Sequence, residues 1–348
     1  MLAVLYRYRF LLALAITSLP VVGYLHGQNW YTFIVGFGVF PLLDLVVGKD
    51  LHNPAPEAMA RLEEARIFRF VTYAYVPIHI GLILWGAVVV SHGEWTFGQR
   101  LGFMLSIGFV TGAQGITIAH ELGHKKSKLE RFLSQVLLVT VCYGHFYIEH
   151  NRGHHVRVAT FEDPASARLG ESFYAFYPRT VWGSFASAWH LETQRLAQFG
   201  LPALHWRNQM LWYIGLPIAI CGGFWAALGP VAAVFFIVQS VMAFSLLEVV
   251  NYLEHYGLAR QQLENGRYER VNELHSWNAP QFLTNCFLIH LQRHPDHHMN
   301  PTRRYQALLH HAASPQLPTG YAGSVLLALI PPLWFAVMDR RVHAARAG

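Results

Sequence analysis

Six stretches of the chain stay apolar for 18 to 24 residues each, at approximately 9–26, 29–48, 68–91, 101–119, 210–228 and 231–250. A helix needs about 20 such residues to cross the hydrocarbon layer of a bilayer. Inside that layer every backbone N–H and C=O must be paired within the segment, so these runs have to be helices. Composition agrees: hydrophobic residues make up 53% of the chain and charged residues 13%, against ~25% charged in ordinary soluble domains. The expected fold is all-α, a polytopic membrane protein with about six transmembrane helices forming one integral-membrane domain over 1–348. Segments 120–209 and 251–348 are expected to be cytoplasmic or interfacial. The first run, beginning after Arg7 and Arg9, is too long for a signal-peptide core alone.

Lys and Arg set the orientation. The loop between the second and third runs carries Lys49, Arg61 and Arg66, and the segment after the fourth carries Lys125, Lys126, Lys128 and Arg131. The loop 92–100 holds only Arg100. Alternation therefore places the N-terminus and everything just after residue 119 in the cytoplasm. The net charge of +6 marks loops facing anionic lipid, not a nucleic-acid surface. Cys142, Cys221 and Cys286 form no CxxC pair and no disulfide framework. Two further apolar runs are read as non-spanning. Residues 132–148 turn polar in their second half, and 322–338 contain Pro331-Pro332, which interrupts a helix.

Histidine is the unusual component, with 21 residues against 20 acidic ones. Nine of them fall into four clusters on the expected cytoplasmic side: HELGHK (120–125), EHNRGHH (149–155), NYLEHYGL (251–258) and LQRHPDHH (291–298). Residues four apart share a helix face, so His120 and His124 can reach one metal. Imidazole suits Zn, Cu, Fe and Ni at about four to six ligands each. Nine donors (His120, His124, His150, His154, His155, His255, His294, His297 and His298) are too many for one ion and about right for two. Isolated histidines such as His26, His79 and His190 read as structural. His145, His290, His310 and His311 lie near the clusters in sequence. The first cluster also matches the HExxH zinc-protease pattern, with Glu121 as base, but that reading leaves the other clusters without a role. A metal transporter would place its ligands at mid-membrane within the spans, not at their ends.

These four motifs, in this order, resemble the integral-membrane alkane monooxygenases (the alkane 1-hydroxylase family), which are related to the xylene monooxygenases and the membrane fatty-acid desaturases and hydroxylases. PLLDLVVGKD (41–50), DPASARLGES (163–172), HSWN (275–278) and LPTGY (317–321) resemble the family as well. NYLEHYGL points to the alkane and xylene branch. The last cluster departs from the usual LQRHSDHHA at Pro295 and Met299, neither of which is a ligand position. The resemblance implies a non-haem di-iron monooxygenase of the bacterial cytoplasmic (inner) membrane, with N-terminus and metal site on the cytoplasmic side. It would convert alkanes to 1-alkanols with O₂ and electrons from rubredoxin, itself reduced by a rubredoxin reductase. The nine histidines would hold two iron ions, divided between them in a way that spacing does not reveal. A relative acting on xylene or acyl chains is the alternative.

Three further groups of residues follow from this reading. Glu121, Glu149, Glu254, Asp163 and Asp296 lie beside the clusters and are candidates to orient ligand rings through their second nitrogen. Trp30, Gly36, Phe37, Gly38 and Phe40 are candidates for the wall of an alkane channel opening from the bilayer. Lys125, Lys126, Lys128, Arg131, Arg152, Arg157, Arg303 and Arg304 form a basic set suited to steering an acidic electron carrier, with lipid headgroups as the competing partner.

Overall fold

A computed structural model describes residues 8–347. Arg7 and the N-terminus whose side of the membrane was expected above lie outside the described residues. Among the described residues all regular elements are helical, apart from three isolated β-bridges. In chain order the main helices are α1 (Tyr31–Val47), α2 (Arg66–Ser91), α3 (Phe97–Gly123), α4 (Lys128–Val139), α5 (Phe173–Ala197), α6 (Gln209–Leu228), α7 (Pro230–His255) and α8 (Pro331–Ala347). Four of these, α2, α3, α6 and α7, are long and apolar enough to cross a membrane.

At the N-terminal end the runs expected to span are divided into shorter helices. The run 9–26 is not one helix but the pieces Arg9–Leu11, Leu12–Ile16 and Leu19–Leu25. Its break has a local cause. The hydroxyls of Thr17 and Ser18 donate to the carbonyls of Leu14 and Ala15, and Pro20 has no N–H to continue the ladder. The run 29–48 becomes α1, only 17 residues long, with a π-helical segment at Ile34–Val39. At the other end, Tyr321–Ala328 and α8 are bent by 119° and make a fifth candidate span only if taken together. Pro331 and Pro332 open α8 there. Between 132 and 148 the helix stops at Val139, and Cys142 turns the chain with φ 55°. At 1.5 Å per residue the 12 residues of α4 reach about 18 Å, short of a crossing.

α3 and α7 pack closely because α3 presents glycine where they meet. A Cβ on Gly112 would lie 2.7 Å from the Ala243 backbone, and one on Gly108 would lie 2.7 Å from the Gln239 carbonyl. Such small-residue contacts set helix approach in lipid, where no hydrophobic effect draws helices together. Thr111 donates to Gln239 across the same contact at 2.9 Å. This pairing delivers two C-terminal ends to one place: α3 ends at HELGH and α7 at His255. Unpaired carbonyls at helix C-termini favour nearby cations.

Candidate metal centre

The nine clustered histidines converge as two groups. His120, His124, His150, His155 and His297 place one ring nitrogen each within 4.8 Å of one another, and His154, His255, His294 and His298 do the same. In the first group, Nε2 of His150 lies 2.9 Å from that of His124 and 3.1 Å from that of His155, which is 3.1 Å from His297. In the second, His294 Nε2 lies 3.2 Å from His255 and 2.9 Å from His298.

Two of the sequence clusters straddle the groups. His150 and His154 lie in a π-helical turn, Glu149–His154, in which the backbone bonds i to i+5. That wider turn puts His150 and His155 in one group and sends His154 to the other. In the short helix His294–Met299, His294 and His298 join the second group, while His297, at the edge of the same face, joins the first. The i, i+4 expectation therefore describes the first cluster and not the second.

Convergence of this kind needs a cation. A neutral imidazole has one N–H and one lone pair, so five nitrogens aimed at a common point cannot all be paired with one another. Nε2 of His120 and of His154 are buried and find no protein partner. Protonation offers no relief. Burial first, and then the mutual repulsion of neighbouring rings, holds His124, His150, His155, His294, His297 and His298 well below the usual imidazole range. Neutral rings with lone pairs turned inward are the form that binds metal.

The carboxylates divide differently from expectation. Asp163 accepts from His154 Nδ1 at 2.8 Å and from Ser166 at 2.6 Å, fixing which nitrogen of His154 faces the group. Burial pushes the Asp163 carboxyl up, but His154 and Ser166 outweigh it and hold it below the usual carboxylate range. Glu254 lies 3.2 Å from His294 Nε2 and accepts from the Tyr321 hydroxyl at 2.6 Å. The other three are engaged by cations: Glu121 by Lys125 at 2.9 Å, Glu149 by Arg157 at 2.6 Å, and Asp296 by Arg303. Their work is to brace the clusters.

The fatty acid desaturase family pattern matches residues 95–325. An alkane 1-monooxygenase 2 of Pseudomonas aeruginosa is 49% identical over 93% of this chain and 87% of its own length. An alkane 1-monooxygenase of Ectopseudomonas oleovorans is 39% identical over 97% of the chain and 85% of its own. The hydroxylase component of a Pseudomonas putida xylene/toluene monooxygenase is 27% identical over 95% of the chain. The chain belongs to the alkane 1-monooxygenase family. The xylene relative shows that the same framework extends beyond this branch at lower identity.

In this family member both histidine groups open onto one apolar cavity. Its metal end is made by His120 and His150 of the first group and His294 of the second, with Glu254 and Asn251 beside them. Of the residues expected in the channel wall, Gly36, Phe37 and Phe40 of α1 line this cavity. Trp30 and Gly38 do not. The Trp30 indole packs over Gly102, and Gly38 is exposed on the opposite side of α1 from Gly36. Much of the wall escaped sequence reading: Phe109, Ile116 and Thr117 from α3, Leu246 and Val250 from α7, and Phe287, Leu291, Tyr321 and Val325 from the C-terminal third. Apolar residues inside apolar spans carry no local mark of which cavity they face.

The fold divides the basic set. Lys125 is buried on Glu121, and Arg152, Arg157, Arg303 and Arg304 are paired with Glu192, Glu149, Asp296 and Glu130. Lys126 and Lys128 are exposed, and Arg131 is half-buried. Most of the cations that look available in the sequence are held in ion pairs, with Arg152, Arg157, Arg303 and Arg304 partly exposed.

Proposed function

We propose that the chain is one integral-membrane domain that hydroxylates the terminal carbon of alkanes: R–CH₃ + O₂ + 2 e⁻ + 2 H⁺ → R–CH₂OH + H₂O. The observation that carries this reading is the shared cavity. Two groups of inward-facing imidazoles meet an apolar enclosure through His120, His150 and His294. The first group would hold one iron with five histidines, and the second would hold another with four. Iron supplies the change of oxidation state that O₂ cleavage and attack on an unactivated C–H bond require, which zinc lacks. The protein's residues do the rest. Phe37, Phe40, Phe109 and Val250 exclude water and leave an alkane no polar handle, so shape brings its end to the metal and sets terminal selectivity. Asp163 holds the His154 ring in the metal-binding tautomer.

Electrons come from outside the chain, with rubredoxin as the donor. Lys126, Lys128 and Arg131 are the members of the basic set left to meet an acidic protein. A rate that falls as salt rises would identify that role. The Lys- and Arg-rich segments after α1 and α3 support a metal centre at the cytoplasmic side of the inner membrane. The test combines metal content with products: purified protein, reduced rubredoxin, O₂ and octane, with iron, zinc and 1-octanol quantified. About two irons per chain together with 1-octanol is the expected result. Zinc without oxygenated product overturns the redox reading, and iron without 1-octanol redirects it to other hydrocarbons or acyl chains.

A further inference from the structure

The alkane cavity is a poor route for two of the species in this reaction. Each turnover consumes two protons and releases one water, and neither moves readily along a wall of Phe, Leu and Val. A second cavity touches the metal centre from another side. It is small, ≈ 10 Å³, and is lined by His120 and His297 of the five-histidine group with Glu121, Tyr305 and Leu308. That is room for about one water molecule. The ring of His120 borders both this pocket and the alkane cavity.

Beyond Glu121 lies Lys125, which is only 4% exposed and holds the carboxylate at 2.9 Å. Its ammonium also donates to the Arg303 carbonyl at 2.8 Å. Lys125 in turn lines an open polar surface cavity of ≈ 730 Å³, shared with Arg69, Lys126, Asn300 and Arg304. Lys125 and Glu121 therefore lead from the surface cavity to the small pocket beside the five-histidine group, which Ile289, Leu291 and Leu308 close on its other sides. We propose that the Glu121–Lys125 pair is the door of a solvent port, through which water reaches and leaves the metal centre without crossing the alkane cavity. The port rests on the di-iron reading above. Water carries the two protons inward, and the water formed when the O–O bond breaks leaves by the same path.

The test follows azide, a small hydrophilic anion, into the iron-loaded ferric protein by the absorption it gives on binding iron. Leu308→Phe fills the small pocket and should slow azide uptake by about tenfold or more, equivalent to ~1.4 kcal/mol on the barrier. The double variant Glu121→Ala/Lys125→Ala removes the door without changing the net charge of the port and should speed uptake. General damage to the site would move both variants in the same direction, and that result overturns the port. A third arm uses the wild-type protein alone: saturating octane should leave azide uptake unchanged. If octane blocks azide, solvent shares the alkane route and the port is wrong. A wild-type protein that holds no iron and gives no azide absorption fails at the di-iron reading itself and takes the port with it.

Discussion

Asp163 shows how one side chain fixes the tautomer of a candidate metal ligand. By accepting from Nδ1 of His154, it leaves the Nε2 lone pair facing the four-histidine group. Asp163→Asn keeps the volume and removes the charge. Metal affinity at that group should fall by roughly 10- to 100-fold, read as iron bound per chain in a titration at limiting iron, with the five-histidine group still filled. Gly36 acts through space. A Cβ there would collide with the ring of Phe109 on the facing helix, so any side chain pushes Phe109 or itself into the cavity. Gly36→Leu should shift the products toward shorter 1-alkanols in a mixed-alkane assay. An unchanged chain-length profile would remove α1 from the substrate wall. Gly36 is legible in the sequence only as a small residue in a span, the usual mark of helix packing.

Among the helices, three π-helical segments stand around the site: Ile34–Val39 and Thr111–Ile116 beside the apolar cavity, and Glu149–His154 within a histidine cluster. A π turn costs helix stability and appears mostly at functional positions. Here it changes which histidines share a face. The Glu149–His154 turn also depends on Gly153, because a Cβ there would run into the Glu149 carboxylate and the Arg157 guanidinium. Gly153→Ala should cost about 1–3 kcal/mol of stability through overpacking, seen as a lower thermal midpoint in detergent together with iron loss. Gly123 is the matched control: a Cβ there comes no nearer than 3.0 Å to any neighbour, the Ser134 hydroxyl being the nearest, and alanine should be tolerated better. Nothing in EHNRGHH announces a π turn, since the choice between i+4 and i+5 bonding is settled by α5, whose Ser187 and Glu192 take Arg157 and Arg152.

At the scale of the molecule, the centre is a set of buried neutral imidazoles, which makes both stability and metal content pH-dependent. The folded-state values of His150, His294, His297 and His298 are pushed far down, by burial first. In the unfolded chain the same groups titrate near 6.5. As pH falls below about 6.5 the unfolded state takes up protons and the folded state does not, so stability is present above that pH and drains away beneath it. Each such ring contributes up to about 1.4 kcal/mol per pH unit in that window. Denaturation midpoints measured at pH 7.5, 6.0 and 5.0 should fall in that order, with iron released over the same range. A midpoint flat across this interval would mean that the rings are already protonated or not buried together.

The membrane environment and the nine histidine donors are legible without any tertiary contact. Apolar runs demand helices in lipid, and four histidine clusters at the ends or between those runs supply nine donors. These are local facts, written in composition and short spacing. The division of the donors into five and four, the fate of the basic residues and the course of the cavity were decided by tertiary structure. His150 shares a group with His297 across 147 positions of chain, and Arg304 pairs with Glu130 across 174. No periodicity encodes such partners, because they arise only when α3, α5 and α7 pack and the C-terminal segment closes over their ends.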